Sequence, residues 1–177
     1  MRLAELQTGD GRELPPRLRQ EIEAVEAERD AAVAEPAAGD ADAAKVSLLT
    51  KLSGIGVELA SVLVREALYR PFANRKAVAA YAGLTPSPFA SGDRHREQGI
   101  SKAGNPLLRK SMIELAWLWL RYQPDSVLAR WFIERVGTTK GRVRKIAAVA
   151  LARKLLVALW KYLTMGLLPE GARLKAA

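Results

Sequence analysis

The segment from Ser87 to Asn105 carries the residues whose types and spacing best suit phosphate chemistry. It holds two serines, Ser91 and Ser101, beside glycines and ahead of a predicted helix N-terminus. The cations in and just after this segment are Arg94, Arg96, Lys102 and Arg109. A hydroxyl among such cations can attack a phosphodiester while they stabilise the charge that develops on the phosphoryl oxygens. The alternative is plainer, because Ser-Gly pairs are common in turns and Ser101 can simply precede or cap a helix.

His95 is the only histidine in the sequence and the obvious candidate for a general base. Because it stands between Arg94 and Arg96, it should resist protonation, and a surface position or a phosphate contact is the commoner role of such a residue. With one histidine and no cysteine, the sequence excludes disulfides and cysteine-ligated zinc, and it disfavours histidine metal clusters and His-dependent triads. Any chemistry must therefore use hydroxyls, carboxylates, cations or a metal held elsewhere.

A second candidate site is the glycine turn Leu52-Ser53-Gly54-Ile55-Gly56, which matches the turn of a helix-hairpin-helix element. In that element the glycines let the backbone approach a phosphate, and N–H groups at the start of the second helix donate to it. Such contacts position DNA without reading its sequence. The alternative is an ordinary pair of helices whose glycines only make the turn tight, and the sequence leaves both open.

A third candidate is the last predicted helix, whose basic residues flank an apolar stripe. The cations are Arg142, Arg144, Lys145, Arg153, Lys154 and Lys161. We expect some of them to contact phosphates. The apolar surface contains Ile146, Val149, Ala150, Leu156, Val157 and Trp160. The tryptophans, at positions 117, 119, 131 and 160, stand among aliphatic residues at helical spacing, so we predict that they pack in the core rather than stack on bases.

The charge of the chain points to a polyanionic partner. The formal net charge is +9 and the pI about 10.1. Residues 1–44 carry 5 basic and 11 acidic side chains, residues 45–90 carry 6 and 2, and residues 91–177 carry 17 and 6. The second half is therefore the cationic part, as expected for a surface that binds nucleic acid. No signal peptide is recognisable, which predicts a cytoplasmic protein, and the apolar tract from Ile146 to Trp160 is shorter than a membrane span.

The elements that must position these residues are helical, and no alternating strand pattern is present, so the predicted fold class is all-α. We predict a disordered lead-in over 1–14, a coiled-coil-like helix over 15–34, a linker over 35–44, a helical domain over 45–170 and a tail over 171–177. Within the domain, residues 84–104 read as a long loop, which in a compact domain is usually functional. Asn105 and Pro106 predict the start of a helix that ends at Gln123-Pro124. The last helix should run from Arg142 to about Met165 and stop at Gly166.

Several motifs, in this order, resemble the C-terminal transposase domain of the IS110 family of insertion-sequence transposases, also called the Piv/MooV or DEDD group. They are LSGIG (52–56), FANR (72–75), AAYAGLTP (79–86), SG (91–92), GISKAGN (99–105) and ALARKLL (150–156). The resemblance spans roughly residues 15–170, and its most specific part is 79–105. One departure is Ser53, where the hairpin turn of the family usually has proline.

The resemblance implies a two-part recombinase. A RuvC-like domain would hold Mg²⁺ on an Asp-Glu-Asp-Asp set, a coiled coil would follow, and the C-terminal domain would supply a serine nucleophile. By this resemblance Ser91 matches the nucleophile, with Ser101 as second choice. The sequence lacks a recognisable RuvC-like domain, so we expect no cofactor on this chain and no strand exchange by it alone. Some members of the family use a structured guide RNA, and the helix over 15–34 would pair with a second copy or a full-length transposase.

Two functions follow from the sequence. The first is the DNA-binding, serine-bearing part of a transposase, with Ser91 as catalytic residue and no metal ligand. Its predicted nucleic-acid contacts are Gly54, Ile55, Gly56, Arg94, Arg96, Ser101, Lys102, Asn105 and Arg109. The second is a non-catalytic helix-hairpin-helix module, a transposase remnant that binds DNA or RNA without cleaving it.

Overall fold

The computed structural model describes residues 15–34, 41–91 and 94–175. The described chain is mostly helical, which confirms the predicted all-α class, and one antiparallel pair of strands interrupts the helices. The helices are α1 (Pro16–Ala34), α2 (Ala41–Thr50), α3 (Val57–Leu63), α4 (Arg75–Tyr81), α5 (Pro106–Tyr122), α6 (Val127–Val136) and α7 (Arg142–Met165). A π-helical turn (Val64–Leu68) continues α3. The strands, β1 (Pro86–Ser91) and β2 (Arg94–Ile100), lie between α4 and α5.

The N-terminal helix is present as predicted, but the linker after it is shorter than expected. α1 leaves its apolar residues largely in solvent, with Val25 65% exposed. The predicted linker over 35–44 is wrong at its end, because α2 already begins at Ala41. Alanine has the highest helix propensity, and Asp42 in the first turn complements the helix dipole, so a helix can start there without an apolar period. The predicted lead-in over 1–14 and residues 35–40 lie outside the described part.

The core forms where α5 packs along α7, with α6 and α4 also against α7. Leu115 and Trp119 on α5 are fully buried, as are Leu151 and Leu155 on α7. The α2–α3 pair closes the other side of α5 through Leu63 and its buried neighbours. α7 thus serves as the central helix that positions both α4 and α5.

Local capping signals set the starts and ends of the helices that frame the hairpin. Asn74 caps α4 by accepting from the N–H groups of Lys76 and Ala77, at 2.9 and 3.0 Å. Asn105 caps α5 ahead of Pro106, as predicted. α7 ends at Met165 and is followed by Gly166 in the left-handed region, which also confirms the prediction.

The predicted loop over 84–104 is wrong, because β1 and β2 form a hairpin within it. The pairing runs from Ser91 opposite Arg94 at one end to Pro86 opposite Ile100 at the other. A register shift leaves Gly99 as the extra residue of β2, and its φ of +38° is one that glycine adopts readily. Two prolines and several charges hid the strands, although a two-stranded ribbon leaves one edge of each strand free, where the missing N–H of proline is tolerated.

α7 forms the core as predicted, but two apolar side chains expected there lie near the surface. Ile146, near its start, is 59% exposed, and Trp117 on α5 is 36% exposed. The Trp117 ring lies at the edge of the core: the Arg144 guanidinium stands 5.3 Å from its centroid, and the ring packs edge-on against Phe132. Trp119 and Trp160 are buried. None of the described helices is long and apolar enough to cross a membrane.

Candidate nucleic-acid interface

The base of the hairpin is fixed to α4 by backbone hydrogen bonds. Ser101 donates its N–H to the Thr85 carbonyl at 2.8 Å, and Asn105 donates to the carbonyl of Tyr81 at 2.9 Å. Between them, Gly104 lies so close to this helix end that an added Cβ would collide with the Tyr81 carbonyl and the Gly83 nitrogen. The segment that returns from β2 is therefore packed directly on the end of α4, and the hairpin starts from a rigid base.

Arg109 binds this base from the first turns of α5. Its guanidinium donates to the carbonyl of Lys102 at 3.2 Å and to that of Ala82 at 3.4 Å. It also lies against Gly83, whose φ is +64° and whose added Cβ would come within 2.7 Å of the Arg109 side chain. We predicted a phosphate contact for Arg109, and the structure gives this half-buried side chain two carbonyl partners. Lys102 is exposed and adopts φ +57°, which is unusual for a residue with a side chain.

Asn105 joins the start of α5 to the π-helical turn. Its side-chain oxygen accepts from the N–H groups of Leu107 and Leu108, both at 3.0 Å. Its amide nitrogen donates to the carboxylate of Glu66. Sequence reasoning missed Glu66, because nothing in a pattern links two residues so far apart. The predicted nucleic-acid contact of Asn105 would have to coexist with these two internal roles.

The hairpin separates the two candidate serines. Ser91 ends β1, opposite Arg94, whereas Ser101 directly follows β2 at the base. Since a strand rises about 3.3 Å per residue, Ser91 lies roughly 17 Å along β1 from Pro86. The hairpin brings Ser91 close to the backbone of Arg94, His95 and Arg96, while Ser101 stays beside Lys102. The side chains of residues 87–98, including Ser91, Arg94, His95 and Arg96, lie outside the described part.

A cationic groove lies beside the base of the hairpin, between α4, α6 and α7. Its volume is about 560 Å³. Five cations line it: Arg75 and Lys76 on α4, and Arg153, Lys154 and Lys161 on α7. Among the described residues, no acidic side chain lines the groove, and the remaining lining residues are Ala79, Thr85, Leu128, Val157 and Ala158. Thr85 is the residue whose carbonyl binds Ser101, so the groove and the hairpin base share a wall.

Sequence analysis singled out half of this groove. Arg153, Lys154 and Lys161 belong to the cations predicted to flank the apolar stripe of α7, whereas Arg75 and Lys76 were not recognised. The Lys154 ammonium stands 4.6 Å from the centre of the Trp131 ring, which holds this side chain by a cation–π interaction. The one feature of the sequence that could have drawn attention to Arg75 and Lys76 is their position directly after Asn74, the residue that caps α4.

The glycine turn between α2 and α3 is built mainly into the core. Ile55 is fully buried, and an added Cβ on Gly54, whose φ is +88°, would lie 2.9 Å from Tyr122. Gly56 differs, because nothing lies within 4 Å of an added Cβ there and it forms the N-cap of α3. Packing within the protein is therefore enough to explain why Gly54 and Ile55 stand in this turn. Of the three predicted contacts in the turn, Gly56 is the one whose backbone is open to a ligand.

Buried Gln123 ties the glycine turn to the C-terminal segment. Its side-chain amide donates to the carbonyls of Ser53 and Arg173, both at 2.8 Å, and accepts from the N–H of Arg173 at 2.6 Å. Lys175 donates its N–H to the Lys51 carbonyl at 2.8 Å. The prediction of a tail from 171 is therefore wrong up to residue 175. Residues 171–175 are held against the glycine turn, because they donate hydrogen bonds to backbone carbonyls that the turn would otherwise leave unpaired.

The described residues offer no set of ligands that fits a divalent metal. No group of three or more histidine, cysteine, aspartate or glutamate side chains comes together in the described part of the chain. Hard cations such as Mg²⁺ are held by carboxylate and carbonyl oxygens. We therefore derive no step through a metal held by these residues.

Comparison with known proteins identifies related sequences. The model of the transposase family IS116/IS110/IS902 matches residues 46–130. The protein y4rJ of Sinorhizobium fredii (strain NBRC 101917 / NGR234), named as a transposase, is 49% identical over 98% of this chain and 49% of its own length. A second protein named as a transposase in that strain, y4qE, is 32% identical over 46% of this chain and 20% of its own length. The chain thus spans about half the length of the first relative.

Proposed function

Because the chain belongs to the IS116/IS110/IS902 family of transposases, we propose that it binds DNA and supplies Ser91 as the nucleophile for strand exchange. The observation that carries this proposal is the anchored hairpin. The backbone pairing sets Ser91 opposite Arg94, at the end of the hairpin away from the packed base. Ser101 is less suited, because its backbone is bonded to Thr85 within that base.

The proposed step is a transesterification. The Ser91 Oγ attacks the phosphorus of a DNA phosphodiester and loses its proton, while one P–O bond to deoxyribose breaks and the released oxygen takes up a proton. The product is a serine–DNA phosphodiester, which the hydroxyl of a second strand can attack in turn. Arg94 and Arg96 would stabilise the charge on the phosphoryl oxygens, with Lys102 contacting the adjoining backbone. Mg²⁺ would be held by a RuvC-like domain rather than by the residues of the hairpin, and there it would neutralise charge on the phosphate.

A covalent adduct tests the proposal. The full chain, a separately expressed RuvC-like domain and Mg²⁺ are incubated with labelled DNA carrying the ends of the element, and protein-linked DNA is detected on a denaturing gel. We expect an adduct that Ser91→Ala abolishes and Ser101→Ala leaves in place. Mass spectrometry of the digested adduct should locate the DNA on the peptide that contains Ser91. An adduct lost only in Ser101→Ala would move the nucleophile and contradict the proposed geometry.

The second candidate function is a non-catalytic helix-hairpin-helix module that binds DNA or RNA. One observation favours it: Gly56 is exposed at the start of α3 with open space beside it, where a phosphate can meet backbone N–H groups. No adduct under any of the conditions above, together with salt-dependent DNA binding, would favour this module over the nucleophile. DNA binding that does not weaken as salt rises would contradict both functions.

We also propose that α1 mediates association with a second copy or a full-length transposase. The support is its apolar stripe, on which Leu18 is 43% and Val25 65% exposed. Light scattering of the chain over a range of concentrations tests this, and a monomer at the highest concentration would contradict it. From the family resemblance we further propose a structured guide RNA as a partner.

A further inference from the structure

We propose that the cationic groove between α4, α6 and α7 binds an unpaired nucleic-acid strand, with its phosphates on the cations and one of its bases on the apolar floor. The proposed function assigned no role to this groove. Apart from Thr85, its lining residues come from three helices packed on one core, so the site is built before any ligand arrives.

The electrostatics of the groove call for a polyanion. Arg75, Lys76, Arg153 and Lys161 have no carboxylate within ion-pair distance, as judged over the described ranges. Five positive charges in one concavity repel one another and create a strong unopposed potential. A strand of phosphates is the ligand that relieves this repulsion at several points at once, and it releases its counterions when it binds.

The floor of the groove distinguishes a single strand from a duplex. The apolar part of the lining, which we call the floor, consists of Leu128, Val157 and Ala158, with Ala79 from α4. A duplex keeps its bases stacked inside and would present only sugars and phosphates to this floor. An unpaired strand has free base faces, and the combination of a positive groove with apolar contact to bases is typical of proteins that bind single strands. The half-buried stems of Arg153 and Lys161 extend the apolar surface while their charges reach solvent.

The groove also has a defined position relative to the hairpin. Thr85 lines the groove and immediately precedes β1, so a strand that leaves the groove passes the hairpin base. This last step rests on the proposed function, because it supposes that the strand is then led to Ser91. Binding in the groove itself does not depend on Ser91, and the two ideas can therefore fail separately.

Fluorescence anisotropy with labelled oligonucleotides tests the inference on the full chain. The probes are a single-stranded DNA, the RNA of the same sequence, and the duplex. We expect at least one single strand to bind more tightly than the duplex, and the better of the two identifies its source. The double variant Arg153→Ala/Lys161→Ala should lose on the order of tenfold in single-strand affinity, and the slope of log affinity against log salt should fall by about 1.4, at ~0.7 per lost phosphate contact.

Matched controls separate the groove from general charge. Arg135→Ala/Lys140→Ala removes two exposed cations that do not line the groove and should change affinity less than about twofold. Arg75→Ala/Lys76→Ala removes the two cations that α4 contributes to the groove. Both side chains are exposed, so we expect this variant to fold even if the α7 variant is unstable. Circular dichroism melting verifies that each variant folds. Equal losses in the groove and control variants would overturn the inference.

A probe with abasic sites tests the floor without changing the protein. Such a strand keeps its phosphates but presents no bases, and we expect it to bind several-fold more weakly than the intact strand. Ala158→Phe, which fills the floor and leaves every charge, should remove that difference. Equal binding of intact, abasic and duplex probes would refute a single-strand site. Strand binding by the groove variants is measured separately from adduct formation, so failure of the groove and failure of the proposed nucleophile can be told apart.

Discussion

Replacing Asn105 by alanine should destabilise the protein more than replacing Asn74, although both residues cap a helix in the same way. Each side-chain oxygen accepts from two backbone N–H groups at about 3 Å. Loss of such a cap costs about 1 kcal/mol. Only Asn105 also donates to a carboxylate, that of Glu66, in a half-buried position. A hydrogen bond to a charged group contributes about 1.5–3 kcal/mol, and partial solvation of Glu66 favours the lower end.

The expected loss in the free energy of unfolding is therefore about 1 kcal/mol for Asn74→Ala and about 2–3 kcal/mol for Asn105→Ala. For a chain of this size, these losses correspond to midpoint shifts of about 2–4 °C and about 4–10 °C in a thermal melt. Asn105→Asp keeps the cap but places a second carboxylate beside Glu66, and Glu66→Gln should restore much of the stability. Equal losses at the two caps, or no rescue by Glu66→Gln, would refute the role assigned to the Asn105–Glu66 pair.

Two further predictions concern the turns. Gly104→Ala should destabilise the protein by on the order of 1–3 kcal/mol, because its Cβ would overlap the backbone at the end of α4. Gly56→Ala, in open space, should change the free energy of unfolding in urea by less than about 0.5 kcal/mol. If Gly56 meets a phosphate, the same Gly56→Ala variant should nevertheless bind DNA several-fold more weakly, and unchanged affinity would exclude that contact. Gln123→Ala should cost about 2–4 kcal/mol in the free energy of unfolding in urea, since it leaves the part-buried Ser53 carbonyl and Arg173 N–H without partners. A loss below about 1 kcal/mol would contradict this.

The helices were predictable wherever the signals are local. Asn105 and Pro106 specify the start of α5 through a side-chain cap and a preset φ, and Gly166 specifies the end of α7. The hairpin was not predictable in the same way, because its strands are held by backbone pairing over residues that are neither β-branched nor alternating. The start of α2 was missed for a related reason: alanine favours a helix without leaving any apolar period to detect.

The candidate site was predictable only in part, since it depends on contacts between distant segments. The cations of α7 could be listed from the sequence, but their meeting with Arg75 and Lys76 requires α4 to pack on α7. The internal roles of Arg109 and Asn105 were hidden for the same reason, because their partners lie at the end of α4 and in the π-helical turn. A cation or an amide has the same letter in the sequence whether it binds a phosphate or a carbonyl.

The anchoring of the hairpin bears directly on how Ser91 can act. A two-stranded hairpin alone is at best marginally stable in water, so its orientation must come from its base. At that base the N–H groups of Ser101 and Asn105 donate to the carbonyls of Thr85 and Tyr81. The Arg109 guanidinium donates to the Lys102 carbonyl, and the Asn105 amide donates to Glu66. A nucleophile is effective only when it is held within about 0.5 Å of the position from which it can attack. For the proposed nucleophile Ser91, that precision would therefore have to be transmitted from the hairpin base along about 17 Å of paired strand.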